Sequence, residues 1–147
     1  MAGNPQVAQG TLNKVRSSVI VTGDNTLNVT APFLGRNMVS VAFQGDASAY
    51  IQTASGAVPS PEPYLVATIT IDVLKTTGTL GLWRTQLENA SFIGDIRVVS
   101  DTVALSDYTF TNCTIISIGD LPFDGSTAEA RITINGIYYV NSSLWSL

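Results

Sequence analysis

The sequence predicts a mainly β domain, on three observations. Apolar residues recur at every second position through several long stretches, only one segment carries helical spacing, and the chain holds 14 Ser and 17 Thr among 147 residues. Thr is β-branched, stiff at its first side-chain torsion and favoured on a pleated surface. At this length one hydrophobic core is expected, so residues 1–147 read as a single domain.

The elements follow in order. Residues 11–21 start polar and end in Val19-Ile20-Val21, which predicts a first strand. In residues 37–44, Val39, Val41 and Phe43 oppose Ser40, Ala42 and Gln44. Residues 45–63 are rich in Ala, Ser, Gly and Pro, with Pro59, Pro61 and Pro63. A structureless loop of that length is uncommon in a compact domain unless it is functional. Tyr50 and Ile51 within it suit an extended arm or hairpin that docks on something apolar. Residues 65–74 then put Leu65, Ala67, Ile69, Ile71 and Val73 on one face, against Val66, Thr68, Thr70, Asp72 and Leu74.

The helix is expected over 77–90, where Leu80, Trp83, Leu87 and Ala90 recur at helical spacing. Thr76 or Thr77 can cap its start, and Gly94 lies just beyond its end. Residues 96–99 are a short apolar strand. Residues 107–118 carry Tyr108, Phe110, Ile116 and Ile118 against Thr109, Thr111, Cys113 and Ile115. In residues 128–135, Ala130, Ile132 and Ile134 oppose Arg131, Thr133 and Asn135. Gly136 interrupts the apolar run before Ile137-Tyr138-Tyr139-Val140, which predicts a bulge or a close backbone approach.

Composition narrows the chemistry. The chain has no histidine, which removes Ser-His-Asp and Cys-His catalysis and imidazole metal sites. Its one cysteine, Cys113, has no adjacent base to activate it and reads as a buried structural residue. Asp95, Asp101, Asp107, Asp120 and Asp124 stand singly where turns are expected, without the spacing of a calcium loop. No enzymatic activity, cofactor or metal is expected. Seven basic and 11 acidic residues leave a net charge of −4, and the bases are scattered, Lys14 and Arg16 alone lying close together. That argues against a protein that grips nucleic acid by its phosphates. No stretch approaches the ~18–20 apolar residues of a membrane helix, and Met1 to Gly10 lacks the order of a signal peptide. Only 12% of residues are charged, about half the ordinary share of ~25%.

The order of elements adds a resemblance. A long Pro-rich loop precedes the central strand, and one helix follows it. Then come Asp107-Tyr-Thr-Phe-Thr-Asn-Cys-Thr-Ile, a turn, a last long strand and the closing Asn141-Ser-Ser-Leu-Trp145. Over residues 13–147 this resembles the tail tube proteins of contractile-tailed bacteriophages, related in fold to the tube of type VI secretion systems.

The resemblance implies a β-sandwich or barrel-like tail tube fold with one flanking α-helix. It implies a structural subunit whose rings, hexameric in the family, stack around a channel for genome delivery. Strands of neighbouring subunits would form one inner barrel, which hides sheet edges. Lumen-facing candidates are then Ser40, Gln44, Thr68, Thr70, Asp72, Arg131, Thr133 and Asn135. Arg131 fits least, unless it pairs with Asp72. Inter-subunit candidates are Tyr50, Ile51, Tyr64, Leu144 and Trp145, the closing segment either folding back on the domain or entering a neighbour. Arg84 and Glu88 are candidates to face a sheath.

The implied partners are further copies of the chain, a tail sheath protein, a tape-measure protein in the lumen, and baseplate and tail terminator proteins. DNA would be present only in passage, with no specific binding and no membrane insertion. The implied location is the virion tail, assembled in the host cytoplasm. A second reading is a carbohydrate- or surface-binding β-sandwich module, supported by Trp83, Trp145 and the tyrosines on an acidic polar surface. A third is an enzyme using two carboxylates.

Overall fold

The computed structural model describes residues 6, 16–102, 105–119, 121 and 123–144. It is mainly β, with 56% of the described residues in strands and one α-helix among them, and its main sheet curls into a half-barrel. Of the forms expected, the sheet takes the barrel-like one.

The strands are β1 (Ser17–Val21), β2 (Leu34–Gln44), β3 (Ser48–Thr53), β4 (Gly56–Pro61), β5 (Tyr64–Leu74), β6 (Phe92–Ser100), β7 (Tyr108–Ile118) and β8 (Glu129–Tyr139), with α1 at Thr79–Asn89. Six of them form one antiparallel sheet in the order β1-β6-β7-β8-β5-β2, while β3 and β4 form a separate hairpin. The Pro-rich stretch 45–63 is therefore mostly an ordered hairpin.

One face of the sheet is dry. Ile69 and Ile71 of β5 pair with Ile134 and Ile132 of β8, and all four are fully buried. Val19, Val21, Ile96, Phe110, Cys113 and Ile115 extend this layer, and Trp83 of α1 covers it from above. Each buried aliphatic or Phe side chain contributes about 1.5–3 kcal/mol. The direction of the curl follows from aromatic contacts. A flat sheet would hold β2 and β7 about 14 Å apart, because β5 and β8 lie between them. Yet Phe43 of β2 sits 6.1 Å from Tyr108 and 6.3 Å from Phe110, ring centre to ring centre. The sheet closes over its apolar face.

Several expectations need correction. The face assigned to Ile116 is reversed. Asn112 adopts a left-handed backbone (φ 51°) and the β7–β8 register shifts between Thr111 and Thr114. This bulge carries Cys113 and Ile115 inward alongside Phe110, and leaves Ile116 about half exposed. Asn tolerates that conformation better than most residues, and its N–H points to Asp95 Oδ1 at 3.4 Å. Gly94 (φ +82°) does not end the helix; it lies inside β6, at register shifts against β7. β6 is accordingly longer than the expected 96–99.

The helix also starts later than expected. Gly78 occupies its N-cap without a side-chain bond. Thr77 instead donates its hydroxyl to the Leu74 carbonyl at 3.1 Å. Gly136 makes a close approach and no bulge, since β8 pairs with β5 without interruption from Tyr139 to Glu129.

Candidate functional site

The face opposite the core is where the lumen candidates fall. Strand register aligns Ser40, Thr70, Thr133 and Ser117 across β2, β5, β8 and β7, a row of four small hydroxyl side chains. A second row runs through Ala42, Thr68, Asn135 and Thr114. Gln44, diagonal to Thr68, donates its side-chain amide to the Thr68 hydroxyl. That hydroxyl in turn donates to Asn135 Oδ1 at 3.1 Å. A chain of polar groups thus spans three strands, each satisfied by the next.

Arg131 is accounted for by its neighbour. Asp72 and Arg131 are register partners, and Arg131 Nε donates to Asp72 Oδ1 at 3.3 Å. The Asp72 side chain is 5% exposed and that of Arg131 60%. The carboxylate is held under the sheet surface while its counter-ion reaches water, so the pair adds no net charge to the face. Removing Arg131 alone would leave a buried charge unpaired. Asn37, Met38, Ser40 and Thr70 complete a shallow depression around them.

That depression depends on an irregularity the sequence does not announce. Between Leu34 and Val39 the β2–β5 register shifts, and Met38 takes φ 51°. The Glu129 side chain fills the space beside Gly35, where any Cβ would collide with it, and accepts the Arg36 N–H at 3.1 Å. Glu129 and Gly35 escaped sequence reading because their partnership joins opposite parts of the chain.

The inter-subunit candidates lie elsewhere. Tyr50 and Ile51 are 72% and 57% exposed on β3, and every residue of that strand is exposed. Tyr64 pairs with Tyr139 at the hairpin end of the sheet, both about half exposed. Leu144 is exposed, and Trp145 lies outside the described residues. The hairpin base is tied to the chain's last strand. Val140 N–H donates to the Pro63 carbonyl at 3.1 Å, and Asn141 Nδ2 donates to the carbonyls of Ala47 and Glu62. Arg84 and Glu88 form an exposed pair 3.9 Å apart, one turn from each other on α1. Such a pair contributes little stability, so its charges are available to a partner.

Groups considered for chemistry have structural surroundings. Cys113 is fully buried, and burial pushes its thiol up to about 12. Hydrogen bonds from the N–H groups of Thr127 and Ser126 hold the Asp124 carboxyl below its ordinary value, a turn cap. The Arg16 side chain does the same for Asp101. Asp107 pairs with Arg97 at 2.6 Å. Asp120 and Lys14 lie outside the described residues. Trp83, an aromatic of the sugar-binding reading, is 0% exposed and has no free face for a ligand. Among the described residues no group of three His, Cys, Asp or Glu side chains could hold a metal, and no helix is long and apolar enough to cross a membrane.

No family model and no curated protein matches the chain. A solved structure does: the cryo-EM structure of the anti-feeding prophage cap, described as a tube-terminating cap. The likeness is one of fold. It covers 93% of this chain and 97% of that one, with a TM-score of 0.50 and 16% sequence identity.

Proposed function

We propose that this chain is a structural subunit of a phage-tail-like tube, assembling as rings that stack around a channel, with no chemistry of its own. The observation that carries the reading is the fold shared with a tube-terminating cap over nearly the whole of both chains. The polar face supports it. Its rows are Ser, Thr and Asn with one Ala, Gln44 lies diagonal to them, and the arginines Arg97 and Arg131 on this face are paired with Asp107 and Asp72. A channel wall of this kind gives DNA phosphates no fixed cation to bind, so a strand passes without the salt-dependent grip that each phosphate contact adds. In the assembled particle the hydroxyl face lines the lumen, beside DNA and a tape-measure protein. The hairpin and the Tyr64–Tyr139 end meet further copies. Arg84 and Glu88 face a sheath, and baseplate and terminator proteins cap the ends. The particle is a virion tail or a related injection device.

Negative-stain microscopy of the purified protein tests this. Rings or tubes with a central channel are expected. A protein that stays a monodisperse monomer and binds glycans would overturn the reading.

A further inference from the structure

Sheet edges expose unpaired N–H and C=O groups that template pairing with another chain. Among the described residues one such edge is covered, one is poor in donors, and two are open. At β1, Val19 and Val29 exchange backbone hydrogen bonds of 2.8 and 2.9 Å, and the Asn28 side chain accepts the Val21 N–H at 2.8 Å. At the other end of the sheet, β2 pairs with β5 alone, and the outer side of residues 39–44 has no partner.

The hairpin repeats this contrast. Glu62 N–H donates to the Ala47 carbonyl at 2.8 Å, and the register runs from Ser48 opposite Pro61 to Thr53 opposite Gly56. Hydrogen-bonded and non-hydrogen-bonded pairs alternate in an antiparallel ladder. Ala49, Ile51 and Thr53 therefore face Ser60, Val58 and Gly56 with their polar groups inward. Ser48, Tyr50 and Gln52 point theirs outward from β3, and Ala57, Pro59 and Pro61 from β4. Proline has no N–H, so the outer edge of β4 keeps only the donor of Ala57. That of β3 keeps all three.

Charge says what meets the open edges. Arg16, Lys75, Arg84, Arg97 and Arg131 each have an acidic partner. Arg36, exposed at the start of β2, has none among the described residues, and neither Asp46 nor Glu62 at the hairpin base has a basic one. Within one chain β2 holds Arg36 and Asp46 roughly 25 Å apart, so these two charges do not meet within a copy.

We propose that β3 of one copy adds to the β2 edge of a second copy as a parallel strand, with Arg36 of the acceptor facing Asp46 and Glu62 of the donor. Both open segments are six residues long. The parallel alignment sets the donor's Ser48 beside the acceptor's Val39, which brings Asp46 next to Arg36. The antiparallel one would bring two copies of Asp46 together. Because the two edges differ, the contact is head-to-tail and each added copy offers both edges again, closing into a ring where the rotation allows. The inference rests on the tube reading and narrows it to the edges that meet.

Pelleting assays and negative stain on purified variants test it, with circular dichroism to verify folding. Gln52→Pro removes an outward donor from β3 without breaking the hairpin ladder, and Ala57→Pro does the same on β4. The expected result is loss of polymer for Gln52→Pro and normal polymer for Ala57→Pro. Arg36→Glu loses polymer, and Arg36→Glu combined with Asp46→Arg and Glu62→Arg regains it. These charge variants leave the strand backbone intact, and so keep the test decisive if a proline variant misfolds. Normal polymer from Gln52→Pro, or from Arg36→Glu, would overturn the edge assignment and leave the tube reading standing. A wild-type chain that never assembles would overturn both.

Discussion

At position 136 a side chain has nowhere to go. A Cβ built there would stand 2.6 Å from Cys113 Sγ and 2.9 Å from Phe110 Cβ. Gly136→Ala is expected to cost about 1–3 kcal/mol through overpacking, read as a lower midpoint in urea. Trp83 presents the opposite situation, since its ring is fully buried and Nε1 has no hydrogen-bond partner among the described residues. An unpaired buried donor costs about 1–3 kcal/mol. Trp83→Phe should therefore leave stability nearly unchanged, whereas Trp83→Ala opens a cavity worth about 3–5 kcal/mol. A Trp83→Phe variant as unstable as Trp83→Ala would mean that the indole N–H is satisfied. The sequence reveals the close approach at Gly136, because a glycine inside an apolar run has few other uses. It cannot reveal the unpaired indole, which depends on what surrounds the ring after folding.

Strands with strict alternation were legible at the level of elements. β5 and the first part of β8 bury the residues their pattern assigns inward, because nothing interrupts their pleat. β7 was misread between Phe110 and Ser117: a bulge at Asn112 inserts one residue and reverses the alternation, and a second register shift before Ser117 restores it, so that Ile118 packs on the core side its pattern assigns. No periodicity argument detects an insertion of one. The hairpin was legible as an unusual segment through its prolines and its length, but its register came only from the fold. Its strand β3 is wholly exposed and supplies no side chain to the core cluster. Replacing residues 45–63 by a short turn should therefore leave a folded monomer with a cooperative melt while abolishing polymerisation. Tubes of normal length from that variant would refute the hairpin's role in assembly.

For the molecule as a whole, the low charge content and the two open edges point the same way. A monomer with 12% charged residues and exposed Tyr50, Ile51, Val58, Tyr64 and Tyr139 has surface that water covers poorly. In the proposed tube, assembly would convert part of that surface to interface and leave the hydroxyl face wet. Alternation alone predicted the two faces of the sheet. The Asp72–Arg131 contact, suggested by the sequence as a pairing across strands, needed the register of β5 against β8 to be located. The most direct test is an electron cryomicroscopy reconstruction of the assembled protein. The account predicts a channel whose wall carries Ser40, Thr68, Thr70, Thr133 and Asn135, with the Asp72–Arg131 pair intact. A channel lined by α1 or by the hairpin, with the hydroxyl rows buried between subunits, would contradict it.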